Sequence, residues 1–302
     1  MILVGGKGKR LRPLSTNARP KAFLSITQDG KTMFRLTLDR IKKIIPAKNI
    51  IVVANRLHAS LVKKDFPNID RENLLLEPVS RNTAPAVTFA AAVLKKRRGG
   101  AIMVVLPSDQ YIEGEEMYRD SIKRGIDFLK HNPSALLALG IRPAHPATGL
   151  GYIKVKSSKL KVQSSKLKVQ NLCAASRPKI YKAERFVEKP NLALARQFIE
   201  DGGYLWNAGA FIFGAGSILK AIRRFSPEIS NGLSDPGNIN SAYKRLTDIS
   251  IDYAVMEKAK NIYCMECGYG WKDMGSFEAL GEVLRIEERD FVAKDGRLVK
   301  IL

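Results

Sequence analysis

The chain has 302 residues, of which 45% are hydrophobic, 8% aromatic and 26% charged, and this globular composition excludes an intrinsically disordered protein. The sequence lacks an uninterrupted apolar run of about 18 residues, so we expect no membrane-spanning helix, and its N-terminal apolar run is too short for a signal-peptide core. Its three Cys do not form a disulfide framework and favour a reducing, cytoplasmic location.

Positive charge is the most unusual feature of the composition. Lys and Arg number 51 against 29 Asp and Glu, a formal net charge of +22, which raises the possibility of a polyanionic partner. The basic residues are spread along the chain, with the densest cluster at 154–168. Because no nucleic-acid-binding motif lies beside that cluster, we interpret most of the charge as solvated surface. Attraction of phosphorylated substrates and nonspecific polyanion binding are the two functions open to the remainder. We expect neither a specific nucleic acid nor a membrane as a partner.

Short apolar strands alternate with amphipathic helical stretches along the chain. This order predicts an α/β protein with a parallel sheet and helices on both faces. The predicted strands, in chain order, are 2–4, 50–54, 74–76, 101–106, 135–139, 151–155, 179–187 and 210–213. The predicted helices are 34–45, 83–98, 118–130, 192–200, 218–225 and 251–258.

Two further segments are informative about organisation. The heptapeptide SSKLKVQ at 157–163 recurs unchanged at 164–170, which we interpret as a duplication in a surface loop without chemistry. At the other end, 291–293 and 298–302 predict a strand, a turn and a second strand. We expect 286–302 to be the start of a truncated C-terminal β region, and the chain to be a fragment of a longer protein.

A glycine-rich loop follows the first strand directly. Gly5, Gly6 and Gly8 allow the backbone to bend tightly and approach a ligand. Successive N–H groups in such a loop bind phosphate, and Arg10 adds positive charge. The P-loop pattern fails because no Gly-Lys-Ser/Thr follows, and the dinucleotide pattern fails because Leu11 replaces its third glycine. Taken alone, these glycines are also consistent with an ordinary turn.

The longer string GGKGKRLRPLSTNARPK resembles the signature of sugar-1-phosphate nucleotidyltransferases, GG-x-G-x-R-L-x-P-L followed by P-K. The resemblance implies a Rossmann-like three-layer nucleotidyltransferase fold with a mixed, mostly parallel central sheet. The implied domain is 1–285, with a nucleotide-binding half over about 1–145 and a sugar-phosphate-binding half over about 146–285. The loop would then bind a nucleoside triphosphate, with Arg10 and Lys21 neutralising its charge as pyrophosphate leaves.

Two aspartates are candidate metal ligands. Asp109 ends a buried strand in LPSD, and Asp273 lies in the glycine-flanked GWKDMGS. A carboxylate at the C-terminal edge of an α/β sheet can hold Mg²⁺, although either residue alone is more typical of a surface or cap. LPSD and GWKDMGSF resemble the first and second metal motifs of the family. The resemblance implies that Asp109 and Asp273 share Mg²⁺ while a sugar-1-phosphate oxygen attacks the α-phosphorus in line.

Three motifs in the second half resemble the sugar side of the family. FVEKP matches F-x-E-K-P, which implies that Lys189 holds the sugar phosphate and that Glu188 accepts hydrogen bonds from sugar hydroxyls. WNAGAF resembles W-N-S-G-x-F, which implies a hydroxyl contact from Asn207, although its aromatic residues are also typical core residues. TGLGYI resembles T-G-Y-G-Y-I, which implies that the backbone of Gly149 and Gly151 passes over the sugar.

The TGLGYI segment also departs from the family pattern. Leu150 replaces the usual Tyr, and Ala147 stands where Glu is usual. We therefore expect a backbone contact there but no contact from those two side chains.

Two longer strings indicate which nucleotide and sugar are used. EPVSRNTAPA resembles the corresponding string of mannose-1-phosphate guanylyltransferases. IDYAVMEK resembles a second string of the same guanylyltransferases. The nucleotide-binding residues implied by the first string are Arg81, Asn82, Thr83 and Pro85. The second implies contacts from Asp252 and Glu257 to mannose hydroxyls, with a helix cap at Asp252 as the alternative.

The expected reaction is therefore GTP plus α-D-mannose 1-phosphate giving GDP-mannose and diphosphate, with Mg²⁺. One alternative is another pair of nucleoside triphosphate and sugar 1-phosphate, and a second is a non-catalytic regulatory homologue that binds a sugar nucleotide. The oligomeric state is open, with a homodimer as one option. Cys264 and Cys267 have the spacing of half a zinc site, but the sequence offers no second pair, so we interpret them as buried thiols.

Overall fold

A computed structural model describes residues 1–6, 8–25, 30–156, 178–233, 239–284, 291–294 and 297–300. The SSKLKVQ duplication and Cys173 lie outside these residues. The strands are β1 Ile2–Val4, β2 Val52–Asn55, β3 Leu74–Glu77, β4 Ile102–Pro107, β5 Gln110–Glu113, β6 Leu136–Ile141, β7 Tyr152–Val155, β8 Ile180–Val187, β9 Tyr204–Gly214, β10 Ile262–Cys267, β11 Gly270–Asp273, β12 Phe291–Lys294 and β13 Arg297–Lys300. The α-helices are α1 Met33–Lys42, α2 Ala59–Asp65, α3 Thr83–Arg97, α4 Glu115–His131, α5 Leu192–Asp201, α6 Ala215–Phe225, α7 Pro227–Gly232, α8 Ile239–Arg245 and α9 Phe277–Leu284.

The chain divides into two compact units, each assembled from separate segments. The first unit contains Met1–Ser80, Pro107–Glu115 and Trp271–Leu302, and the second contains Arg81–Leu106 and Glu116–Gly270. The halves expected from the sequence are continuous segments, so they do not coincide with these units. Which ligand each half binds stays a prediction.

In the first unit, three parallel strands follow the predicted order. β1 pairs with β2, and β2 pairs with β3, both in parallel register. The apolar side chains of β2 are fully buried, as expected for a parallel strand covered on both faces. A hydrophobic cluster in the same unit includes Leu11 and Leu14 from the glycine-rich segment and Met274 from the GWKDMGS turn. Packing of these residues therefore holds the two candidate motifs together.

In the second unit the sheet is mixed, with strand order β4-β9-β6-β10-β8-β7 and an additional pairing between β7 and β9. Only β6 and β10 run parallel among these described strands, and the other pairings are antiparallel. The expectation of a mostly parallel sheet therefore holds for the first unit and is wrong for the second. Buried strands read as apolar runs in either direction, so the sequence did not reveal their orientation.

Strand β9 is longer than predicted and carries a candidate sugar motif. The sequence indicated a strand over 210–213, whereas β9 spans Tyr204–Gly214 and includes the WNAGAF segment. Trp206 pairs with Ile141 of β6 and with Tyr152 of β7. The next residue, Asn207, donates its backbone N–H to the Gly151 carbonyl at 2.8 Å. This pairing brings two predicted sugar-site motifs side by side.

Most other predicted elements are confirmed with ends shifted by a few residues. The C-terminal strands are present as an antiparallel hairpin in which Phe291 pairs with Lys300. The segment predicted as a helix over 251–258 contains a π-helical turn, Asp252–Met256. Elements that the sequence did not reveal are β5, β10, β11, α2, α7, α8 and α9. Within the described part of the chain, no helix is long and apolar enough to span a membrane.

Candidate active site

The glycine-rich loop leaves β1 with two residues in the left-handed region. Gly6 has a φ of 94° and Gly8 a φ of 55°, a conformation that side chains other than glycine rarely tolerate. A Cβ at Gly8 would lie 2.9 Å from Ser15 Oγ and 3.0 Å from Lys21 Cβ. Ser15 Oγ donates to the Gly8 carbonyl at 2.5 Å. Gly8 therefore allows the loop to fold closely over Lys21.

Replacing Gly8 by alanine is expected to lower the free energy of unfolding by about 1–3 kcal/mol, because the new Cβ meets strain and contact together. Gly5 is the matched control, since a Cβ there would have no neighbour within 4 Å. Urea denaturation of both variants measures the difference. Equal stability of Gly8→Ala and Gly5→Ala would contradict this description of the loop.

The fold brings the two predicted metal aspartates together within the first unit. Asp109 lies between β4 and β5, and Asp273 is the last residue of β11. β5 and β11 pair as a two-stranded sheet, so one strand pairing joins two motifs that are far apart in the sequence. Ser108 Oγ donates to the Leu3 carbonyl at 2.7 Å, which fixes the backbone beside Asp109.

Lys21 lies at the centre of these carboxylates. Its Nζ is 2.9 Å from Asp109 Oδ2 and 3.1 Å from Asp273 Oδ1, and its side chain is only 7% exposed. Burial alone would lower the pKa of Lys21, but the two carboxylates outweigh it and raise that pKa, so the ammonium stays charged. Arg10 Nη2 lies 3.9 Å from Asp273 Oδ2, and its side chain is mostly exposed. Arg10 therefore has a charge to offer to a ligand, whereas Lys21 is held by the aspartates.

The donor set fits a divalent cation. Asp109 and Asp273 each direct one carboxylate oxygen toward the Lys21 ammonium, and both aspartate side chains are partly exposed. Among the described residues no group of three or more His, Cys, Asp or Glu surrounds a metal position. Two carboxylates with water and phosphate oxygens completing the shell is the arrangement that Mg²⁺ prefers.

Glycine at position 275 leaves room for this group. A Cβ there would lie 2.6 Å from Asp273 Oδ2 and 2.7 Å from Arg10 Nη2. Because either contact would displace a charged group, the glycine of the GWKDMGS turn keeps Arg10 and Asp273 in place.

A second polar cluster lies in the second unit, where β8 ends. Lys189 adopts a φ of 47°, rare for a residue with a side chain, and its Nζ donates to Glu188 Oε1. The Glu188 side chain is 7% exposed. Its Oε2 is buried without a hydrogen-bond partner among the described residues. A buried carboxylate oxygen without a donor indicates a place for one, such as a ligand hydroxyl.

Four further predicted sugar-site residues join this cluster. Asn207 Nδ2 donates to Asp252 Oδ1 at 2.9 Å, and the Glu188 N–H donates to Glu257 Oε1 at 3.0 Å. A Cβ at Gly151 would collide with Glu188 Oε2 and lie 3.3 Å from Asn207 Cβ. Ile251 is the N-cap of the π-helical turn, so the alternative of a cap at Asp252 is wrong. Gly149 lies in the exposed connection before β7.

Burial, followed by the nearby Glu188 charge, raises the pKa of Asp252 to about 6 from an ordinary 3.8. Between about pH 4 and pH 6 the folded carboxyl keeps a proton that the unfolded one has lost, so the free energy of unfolding falls as pH rises through this window. The loss amounts to about 3 kcal/mol at most.

We therefore expect Asp252→Asn to be more stable than the parent at pH 7.5, by about 1–3 kcal/mol, and equally stable near pH 4. The asparagine keeps an oxygen to accept the bond from Asn207. Urea denaturation at the two pH values measures this, and a stability difference that does not change with pH would refute the titration.

The residues predicted to bind the nucleotide already have hydrogen-bond or packing partners within the protein. Arg81 donates through Nε to the Tyr243 carbonyl at 3.0 Å and through Nη2 to the Lys244 carbonyl at 2.6 Å. Asn82 is the N-cap of α3, and Thr83 Oγ1 accepts the Ile251 N–H at 2.8 Å. Pro85 is buried in the first turn of α3. These bonds fasten the start of α3, and contact with a base stays a prediction.

The cysteines agree with their interpretation as thiols. Cys264 and Cys267 are both buried and unpaired. Burial raises the pKa of both, that of Cys267 to about 12, so neither is a thiolate at neutral pH.

The site thus combines a glycine-rich loop with a buried lysine that contacts two partly exposed carboxylates, on a mixed α/β fold. Residues 1–289 match the family model described as nucleotidyl transferase, and the chain belongs to this family.

Known proteins of similar sequence and structure narrow the comparison. The chain is 33% identical over 94% of its length to a mannose-1-phosphate guanylyltransferase of Escherichia coli, and it covers 61% of that protein. It thus spans about three fifths of the length of the curated relatives it matches.

Two solved structures share the fold. One, described as a mannose-1-phosphate geranyltransferase from Thermus thermophilus, is 32% identical with a TM-score of 0.80, over 95% of this chain and 78% of that one. The other, described as a mannose-6-phosphate isomerase from Helicobacter pylori, is 26% identical with a TM-score of 0.69, over 90% and 98%. The names of these two proteins describe different reactions. The reaction of this chain is therefore inferred from the residues of its candidate active site.

Proposed function

We propose that the chain transfers a guanylyl group from GTP to α-D-mannose 1-phosphate, giving GDP-mannose and diphosphate. The observation that carries this proposal is that Asp109 and Asp273 both contact the Lys21 ammonium beside the glycine-rich loop. The similarity to a mannose-1-phosphate guanylyltransferase supports the choice of substrates.

The first unit would bind the triphosphate. Backbone N–H groups at Gly5, Gly6 and Gly8 would contact its oxygens. Arg10, whose guanidinium is mostly exposed, would neutralise charge that develops on the departing pyrophosphate. Lys21 would hold the two aspartates in position and balance their charge.

Asp109 and Asp273 would hold Mg²⁺, which when bound neutralises phosphate charge and orients phosphate oxygens for in-line displacement. The protein's own part is positional, because phosphoryl and nucleotidyl transfer need alignment and charge neutralisation more than a covalent intermediate. The reaction forms a bond from a sugar-phosphate oxygen to the α-phosphorus and breaks the bond from that phosphorus to the bridging oxygen of pyrophosphate.

The second unit would bind mannose 1-phosphate. Lys189 would contact the phosphate, and the unpartnered oxygen of Glu188 would accept a sugar hydroxyl. Asn207, Asp252 and Glu257 surround the same place. Gly149 and Gly151 would present backbone, since no side chain fits at Gly151.

Base selection would involve Arg81, Asn82, Thr83 and Pro85 at the start of α3. The bonds from Arg81 and Thr83 to neighbouring backbone make that segment a fixed surface. We also propose a Rossmann-like three-layer arrangement of the fold and a cytoplasmic location. A homodimer remains one option for assembly.

The test is ³¹P NMR of the chain with GTP, mannose 1-phosphate and Mg²⁺. We expect resonances of GDP-mannose and pyrophosphate to appear together and to be abolished by a chelator. Unchanged substrates in a folded sample would overturn the proposal and favour a non-catalytic sugar-nucleotide-binding homologue.

A further inference from the structure

The sugar-phosphate cluster of the second unit contains more negative charge than it can balance. Three carboxyl groups, Glu188, Asp252 and Glu257, accompany one cation, Lys189. Asn207 from β9 donates to this group, and Tyr253 from the same turn lies near Lys189. Thr83 Oγ1 of α3 accepts the N–H of Ile251, the residue before Asp252. Helix α6 packs against the same π-helical turn, and its charged residues are exposed: Lys220, Arg223 and Arg224.

A phosphate group at Lys189 would make this imbalance worse. The Lys189 ammonium is bonded to Glu188, so a bound phosphate dianion would share that cation with the carboxylate. Like charges brought together in a partly buried site favour protonation of one of them. The complex with the sugar phosphate therefore binds a proton at this cluster more tightly than the free protein does.

Asp252 is the carboxyl best placed to accept this proton. Glu257 is exposed and accepts the Glu188 N–H, and Glu188 is paired with Lys189. Asp252 is partly buried beside Glu188, and its pKa is already raised toward neutrality. Its Oδ1 accepts from Asn207, which leaves the other oxygen to carry the proton.

We propose that binding of the sugar phosphate at this cluster takes up one proton from solvent, and that Asp252 carries it in the complex. The inference rests on the proposed function. A protonated Asp252 donates a hydrogen bond to a sugar hydroxyl or to Glu188, and so adds a donor to a cluster that contains three carboxyl groups.

Isothermal titration calorimetry with mannose 1-phosphate tests the proposal. Titrations of the parent chain at pH 7, in buffers of different ionisation enthalpy, are expected to show uptake of about one proton per ligand. Above pH 6 the affinity should weaken by up to about tenfold per pH unit. Asp252→Asn should show no such uptake and a flat pH dependence, and at pH 8 it should bind at least as tightly as the parent.

Asp248→Asn is the matched control, because Asp248 is an exposed aspartate of the same unit, and it should behave as the parent. Titration of the ligand phosphate contributes equally to the proton uptake of the parent and of both variants. The difference in uptake between the parent and Asp252→Asn is therefore the contribution of Asp252. Binding without proton uptake by the parent would overturn this inference alone, as would uptake retained in Asp252→Asn. If mannose 1-phosphate fails to bind the parent at any pH, the proposed function falls, and this inference with it.

Discussion

Lys21→Met is expected to lose most of its turnover, by about 100-fold or more, and to be less stable than the parent by about 1–3 kcal/mol. The physical reason is the charge that it leaves behind. Lys21 is nearly fully buried, and its ammonium contacts both Asp109 and Asp273. Removing one partner of such a group leaves like charges facing each other, and the partial exposure of the aspartates limits the cost.

The same variant should also become dependent on metal for its stability. With the ammonium gone, Asp109 and Asp273 present two carboxylates to the position of one cation, so Mg²⁺ is expected to recover part of the lost stability by mass action. Thermal denaturation with and without Mg²⁺ measures this. Lys63→Met, at an exposed lysine of α2, is the control and should show neither effect. A Lys21→Met protein as stable and active as the parent would contradict the role given to this lysine.

Asp109→Asn is expected to lower turnover by about 1000-fold or more, equivalent to about 4 kcal/mol of transition-state stabilisation. The asparagine keeps the shape of the side chain but not the charge that a divalent cation requires. Stability should change by no more than about 1 kcal/mol, because Lys21 keeps Asp273 as a partner.

Steady-state kinetics at saturating Mg²⁺ compare this variant with Glu113→Gln. Glu113 is an exposed carboxylate at the end of β5 in the same unit, so its loss should leave turnover unchanged. Parent-like turnover in Asp109→Asn would remove Asp109 from the metal site.

The candidate metal site shows how far sequence reasoning reaches. Asp109 could be placed at the end of a strand because 101–106 is a plain apolar run, and β4 confirms it at Ile102–Pro107. The pairing of β5 with β11 could not be foreseen, since both are short strands of mixed polarity. The contact of Lys21 with both aspartates depends on that pairing, so no local pattern indicated it.

The sugar-phosphate cluster had a different limit. The motifs named Glu188, Asn207 and Asp252, but their shared contacts depend on the antiparallel path of β9, which apolar periodicity does not reveal. The raised pKa of Asp252 depends in turn on burial beside Glu188. Motifs therefore identified the residues, whereas the fold determines their charges and partners.

The most direct test of the central claim is pyrophosphate release in the presence of Mg²⁺, with GTP, ATP, UTP and dTTP each combined with mannose 1-phosphate and with glucose 1-phosphate. The proposed function predicts release with GTP and mannose 1-phosphate, and much less with any other pair. Release confined to a different pair would keep the nucleotidyl transfer and contradict the assignment of base and sugar. A folded chain that releases pyrophosphate with none of the pairs would contradict the account as a whole.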